Sequence, residues 1–429
     1  MFIILNIVIS LSFLSGCSST KTNSATSKSS TSSTQNTTST QSNVTNNGVS
    51  NANSKANTGT VSKVAPVKNV APSNVPPVNP NASGAKSAVN SITASPSTAK
   101  PNKIPAVLVS DETSFKNAVV INLSGGKDLA INLNEKYTKD NIAEKVMKVV
   151  ETSGYAGYVS GIQYSVVNNV AYIYFQYKGG SANFLTKSAA VDASVSSIVS
   201  KVVTVGMTDY DKELALHDYV VNNVDYDYAN LVKNTIPDDS YTAYGALIKG
   251  VAVCEGYAEA MNKLLTKAAV LSTIINGFGN GVAHEWNQVN IQGGIYHVDA
   301  TFDDPISTTT KVITHNYFNV NDAQLSKDHT WDNADYPVST AIAANYFIVN
   351  NLSASNKSKY YDIIKNQIIN KNPIIDIRTS TYDPNIYTSA TVLNVLKDNP
   401  TIDFVDTTLG YSFSYDPASC VIEIVMNYK

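Results

Sequence analysis

The period of apolar positions changes several times along this chain, and each change marks a part of it. The first stretch, MFIILNIVISLSFLSGC, is almost unbroken in its apolarity and ends in small residues. That length and ending describe a signal-peptide core at 1–17 rather than a membrane span. From Ser18 to about Pro105 there is no period at all, only Ser, Thr, Asn, Ala and Pro. Such a segment cannot bury enough apolar surface to offset its ordering entropy, so residues 18–105 are expected to be a disordered tether. As a coil it would span roughly 50 Å.

Ordered patterning begins near Ala106. DLAINL alternates and predicts a strand. NIAEKVMKVVET carries Ile142, Val146, Val149 and Val150 at helical spacing. GIQYSVV and VAYIYFQY, joined by Asn168-Asn169, predict a hairpin, because Asn tolerates the positive φ of a two-residue turn. The far end repeats the order. YYDIIKNQII predicts a helix, IIDIRT a strand and SATVLNVLKDN a helix; YSFSYD and CVIEIVMNY then form a second hairpin. SFKNAVVINL, ahead of the first strand, supplies the matching first helix more weakly. Two small α+β modules, at 106–180 and 341–429, are therefore expected, the second patterned as a repeat of the first, around a central domain at 181–340.

In that central domain AAVDASVSSIVSKVV places Val191, Val195, Ile198, Val199 and Val202 on one face. MTDYDKELALHDYVV opens with Thr208 as an N-cap and an acid three residues on, and its His217 is expected to be packed or surface-lying. After SYTAYGALIKGVAV comes VCEGYAEAMNKLL, with Tyr257, Ala258, Met261, Leu264, Leu265 and Ala268 forming one buried stripe. Cys254 sits just before the first turn of this helix. Free N–H groups and the helix dipole there favour a thiolate.

Composition adds exclusions. The net charge of −3 is close to neutral and implies no polyanionic partner. Lys dominates the bases and Arg378 is the lone Arg, so nucleic-acid recognition is not expected. The 3 cysteines, Cys17, Cys254 and Cys420, make neither a disulfide framework nor a zinc motif. Cys420, among alternating apolar residues, reads as a buried structural thiol. Leu14-Ser15-Gly16-Cys17 resembles the bacterial lipobox, which implies lipidation of Cys17 and attachment of the chain to the outside of the cell membrane; no Lys or Arg precedes the apolar run, a departure from that pattern.

HEWNQVNI and GIYHVDATF predict two strands around Gln292-Gly293. A two-residue loop pairs Ile291 with Gly294 and sets Trp286 opposite Asp299. His284 and Asp299 then become diagonal neighbours on one face, about 7 Å apart at the backbone. An imidazole held by a carboxylate has a fixed tautomer, and a thiol facing it completes a Cys-His-Asp triad. His297 competes for the role of base, since it shares the face of Asp299.

VCEGYA, HEWNQV and YHVDATFDDP, in this order over about 205–305, resemble the transglutaminase-like superfamily. The resemblance implies an α+β, papain-like core in which a helix bearing the nucleophile packs on an antiparallel sheet. It maps the nucleophile to Cys254, the base to His284 and the acid to Asp299. It suggests Tyr244, with Trp286 and Tyr257, as candidates for oxyanion or substrate contacts. The implied activity runs through a thioester acyl-enzyme on a carboxamide or peptide carbonyl of a protein or cell-wall peptide, with hydrolysis favoured over amine transfer. A silent surface scaffold binding wall polymer or protein is the alternative. No cofactor is expected. Asp303 and Asp304 could bind calcium, although a turn at the end of the strand accounts for them.

Overall fold

The structure, a computed structural model, describes residues 92–97, 104–306 and 312–429. The signal segment, Cys17 and most of the tether lie outside the described residues. Among the described residues, helices and sheets make an α+β fold with three four-stranded sheets and a two-stranded one.

The N-terminal module runs β1 (Thr93–Pro96), α1 (Glu112–Ser124), β2 (Leu129–Asn132), α2 (Ile142–Glu151), β3 (Val159–Val167) and β4 (Val170–Tyr177). Its sheet order is β1-β3-β4-β2. Asn168 and Asn169 take φ of 50° and 61°, as the hairpin turn requires. Along β4, Ala171, Ile173 and Phe175 point into the core while the residues between them do not. β1 corrects the expected tether boundary. It pairs parallel with β3, and Ile92 beside it is only 7% exposed and joins the module's core. Four residues ending in Pro are too few to show alternation, and the strand is held by main-chain bonds that leave no mark on composition.

The central region begins with α3 (Ser181–Val202) and α4 (Asp209–Asn223). Thr208 and Asp211 form the expected capping box on α4. Then come β5 (Asp225–Tyr226), α5 (Tyr228–Lys233), β6 (Val251–Ala252), α6 (Cys254–Lys267), β7 (Leu271–Gly279), β8 (Val282–Ile291) and β9 (Gly294–Val298). α7 (Asp322–Leu325), β10 (His329–Trp331) and α8 (Tyr346–Val349) follow. The sheet order is β10-β7-β8-β9, all antiparallel. α6 lies on this sheet; its Tyr257, Met261, Leu264 and Leu265 share one core with Val191 and Val195 of α3, Leu216 and Val220 of α4, and Val289 of β8.

The C-terminal module comprises β11 (Ser353–Ala354), α9 (Lys357–Ile369), β12 (Ile374–Thr379), α10 (Ala390–Asp398), β13 (Tyr411–Asp416) and β14 (Val421–Met426), in sheet order β11-β12-β14-β13. In each module the final hairpin presents its last strand to the strand between the two helices, antiparallel in both cases. The leading strands differ: β1 joins the hairpin edge, whereas β11 joins β12 on the opposite edge. Buried Arg378, on β12, donates to the carbonyl of Asn316 and so ties this module to the central region. Cys420 is buried, and its Sγ accepts from Lys327 Nζ at 2.8 Å.

Candidate functional site

Cys254 is the first residue of α6, and no side chain caps that helix end. The first turn of this helix is pressed against residues 240–242. A Cβ on Gly256 would lie 2.8 Å from the carbonyl oxygen of Ser240 and 2.9 Å from that of Thr242, so only glycine fits there. Val253 donates to the Ser240 carbonyl at 2.9 Å, which fixes the approach to the helix. The Asn287 side-chain amide donates to the Ala258 carbonyl at 3.0 Å and pins α6 to β8.

β8 and β9 pair in the register expected from a two-residue loop, with Ile291 opposite Gly294. Gln292 and Gly293 have φ of 53° and 86°, a type I′ pattern. His284 Nε2 lies 2.6 Å from Asp299 Oδ2. Asp299 Oδ1 accepts the main-chain N–H groups of Thr301 and Phe302 at 2.9 and 3.0 Å. Burial would raise the Asp299 pKa, but the charge and hydrogen bond of His284, joined by those of His329, hold the carboxyl well below its usual range. Because His284 Nε2 is occupied by the carboxylate, Nδ1 is left as the free ring nitrogen.

A second imidazole reaches the same carboxylate. His329 on β10 places Nε2 3.1 Å from Asp299 Oδ2, and its Nδ1 is 2.5 Å from Asp328 Oδ1. Burial alone would lower the His329 pKa, but bonds to Asp299 and Asp328 outweigh it and hold the ring up at about 9. Sequence reasoning missed this residue. β10 enters the sheet beside β7 far from it in sequence, and three residues carry too little pattern to announce a strand.

His297 lies elsewhere. Its Nδ1 accepts from Trp286 Nε1 at 3.1 Å and its Nε2 is 2.8 Å from Asp322 Oδ1, so both nitrogens are engaged away from Asp299. Burial lowers its pKa.

A family model for the transglutaminase-like superfamily matches residues 196–300. The chain carries a transglutaminase-like domain. Among solved structures, a crystal structure of a TGase is 14% identical, with a TM-score of 0.25 over 49% of this chain and 62% of that one. A "putative cysteine protease" from Cytophaga hutchinsonii is 17% identical, with a TM-score of 0.23 over 35% of this chain and 46% of that one. This chain thus covers less than two thirds of either neighbour. No curated protein matches.

Within the transglutaminase-like domain the thiol is buried. Cys254 is 1% exposed, and burial together with the charges of Glu285, Glu255 and Asp299 pushes its pKa up, against a main-chain N–H from Glu285 that pulls it down. Desolvation and three nearby acids thus oppose the thiolate that the helix end favours. The aromatic candidates also change. Tyr244 lies against Lys187 and Lys249, with the ammonium groups 5.5 and 5.9 Å from its ring centre, and packs on the main core. Tyr226 and Tyr241 are the aromatics that pack on Cys254, with Leu231 and Ile236. Parallel pairing of β5 with β6 brings Tyr226 there, a two-residue contact without a sequence signature. Trp286 is buried and stacks on His284 with ring centres 5.8 Å apart, which supports the ring. Tyr257 is buried too, its hydroxyl 2.6 Å from Asp304 Oδ2 and 2.9 Å from the Val224 carbonyl. Asp303 Oδ1 accepts from Tyr317 N at 2.9 Å and from the Thr314 hydroxyl at 3.1 Å. Asp303 Oδ1 and Asp304 Oδ2 are thus engaged in internal bonds, as a strand-ending turn demands.

Proposed function

We propose that this protein is a cysteine-dependent acyl-transfer enzyme acting on a carboxamide or peptide carbonyl. The observation that carries the reading is the 2.6 Å contact between His284 Nε2 and Asp299 beside the strand residue whose N–H meets Cys254. Asp299 fixes the tautomer with the proton on Nε2, leaving Nδ1 to accept the thiol proton. As the sulfur–carbon bond forms, that proton passes to His284 and then to the departing amine as the carbon–nitrogen bond breaks. The main-chain N–H of Cys254 and a neighbour at the uncapped helix start stabilise the oxyanion. Water, activated by His284 in turn, releases the acid; an amine in its place would give transamidation. Hydrolysis is the favoured outcome, because a transferase must hold an amine and exclude water.

The substrate is a protein or a cell-wall peptide, met outside the cell by a chain anchored through a lipidated Cys17. The second reading, a silent scaffold, is favoured by one observation, the burial of Cys254. Mass spectrometry after incubation with a reactive acyl donor and a primary amine separates them. A thioester on Cys254 followed by free acid supports the hydrolase, and a predominantly amide product replaces hydrolysis with transfer. No adduct on Cys254 under any donor leaves the scaffold.

A further inference from the structure

All five histidines fall between His217 and His329, and two of them meet away from the candidate site. His217 and Asp218 are consecutive on α4, and His315 comes from the chain ahead of α7. Asp218 Oδ1 lies 3.0 Å from His217 Nδ1 and 2.9 Å from His315 Nε2. We propose that these three residues bind a divalent transition-metal ion of the zinc class, through His217 Nδ1, His315 Nε2 and an Asp218 oxygen, with a fourth position left to solvent.

Three features support it. The first is distance. The candidate ligand atoms all lie within 4.8 Å of one another. A tetrahedral ion with bonds of about 2.0–2.1 Å spaces its ligands roughly 3.3 Å apart. The present spacing to Asp218 is a few tenths of an ångström shorter, so an ion replacing the shared protons asks only for a small outward shift.

The second is what stands behind His217. Its other nitrogen, Nε2, is fully buried and makes no aligned hydrogen bond, yet it lies 3.2 Å from Asp303 Oδ2, which is equally unmatched. A carboxylate behind the non-ligating nitrogen is the arrangement that orients metal-bound imidazoles and raises their basicity. Asp303 is itself held by Tyr317 N and the Thr314 hydroxyl. Without an ion, His217 must divide its protons between two carboxylates and aligns with Asp303 poorly. With an ion on Nδ1, the single proton on Nε2 belongs to Asp303.

The third is access and fixity. The side chains of Asp218 and His315 are 37% and 12% exposed, so an ion can enter from solvent while His217 closes the floor. The His315 ring stacks on Tyr346 with centres 3.8 Å apart and planes 5° from parallel, which holds its orientation. Two imidazoles with one carboxylate select zinc, cobalt or nickel over calcium or magnesium, which prefer oxygen alone. The group at His284, Asp299 and His329 is a different case. It is wholly buried, and Asp299 has donors on both its oxygens. The proposed ion would join α4 to the chain around His315, and through Asp303 would brace the turn that begins at Asp299.

The test uses the full chain, freed of metal with a chelator. Zn²⁺ is titrated by calorimetry and Co²⁺ by visible absorption, where a tetrahedral site gives intense d–d bands. One saturable equivalent is expected. His315→Ala and Asp218→Asn should each weaken it more than a hundredfold and abolish the cobalt bands. Asp303→Asn should cost about 10–100-fold. Asp218 is half-exposed, so its variant keeps the fold if the His315 variant does not; circular dichroism checks both. Absence of saturable zinc binding by the wild-type chain overturns the proposal. So does binding that Asp218→Asn leaves unchanged, which would place the ion at the other histidine group.

Discussion

Raising the pH from 6 to 9.5 should destabilise the protein, and His329 should account for about half of the effect. Its pKa rises from an ordinary 6.5 to about 9 in the folded chain, since Asp299 and Asp328 overcome the opposing effect of burial. A group raised on folding lends its stability fully below the unfolded value, and that stability fades as pH climbs through the folded value. The window is therefore pH 6.5 to 9. The rise corresponds to about 3 kcal/mol at most. In the metal-free protein His217 is also held at about 9, burial again being outweighed by Asp218 and Asp303, so the metal-free wild type loses two such contributions together. His329→Gln retains a donor for Asp299 but no titrating charge. Thermal melts in half-unit pH steps should show the variant well below the wild type at pH 6, on the order of 6 °C for a domain of this size. The gap should close by pH 9.5. Parallel melting curves across the whole range would refute the reasoning, because they would mean that the ring on Asp299 is not charged at neutral pH.

Three further outcomes follow from the site and the modules. Cys254→Ala should abolish acyl transfer and shift the melting temperature little, whereas His297→Ala should lose roughly 2–4 kcal/mol of stability but keep its activity per folded molecule, unlike His284→Ala; turnover measured on each variant after its folded fraction is determined decides this. Iodoacetamide should label Cys254 slowly in the folded protein, and Leu231→Ala with Ile236→Ala should speed labelling by thinning the layer over the thiol; labelling as fast as in urea would contradict the burial. Removal of residues 1–91 should leave the melting point unchanged, but removal of 1–103 should lower it, because β1 and Ile92 go with it and one buried isoleucine is worth about 1.5–3 kcal/mol.

Much of this was legible in the sequence wherever period or turn chemistry was at work. Asn168-Asn169 and Gln292-Gly293 set two hairpin registers, and the second register brought His284 to Asp299. The stripe from Tyr257 to Ala268 placed Cys254 at a helix start. What escaped was of a different physical kind. β1, β5, β6 and β10 are two to four residues long, held by main-chain bonds that any sequence can make. Tyr226 and His329 ride on those strands, so both were missed while Tyr244 was put forward. The state of the thiol was also out of reach, because it depends on Glu255 and Glu285 being buried beside it, and nothing in a carboxylate's neighbours along the chain announces that.

The strand that carries His329 has a bearing on where this domain ends. The family match stops at residue 300, one position past Asp299, yet the carboxylate there is gripped from β10, nearly thirty residues later. The stretch by which relatives are recognised is thus shorter than the stretch that has to fold together. A fragment cut at the recognisable border would expose the outer edge of β7 and strand Asp299 with half of its imidazole partners. The working unit is better drawn from α3 through β10 at least, and on through Arg378 if the loop around Asn316 is to keep its anchor in the C-terminal module.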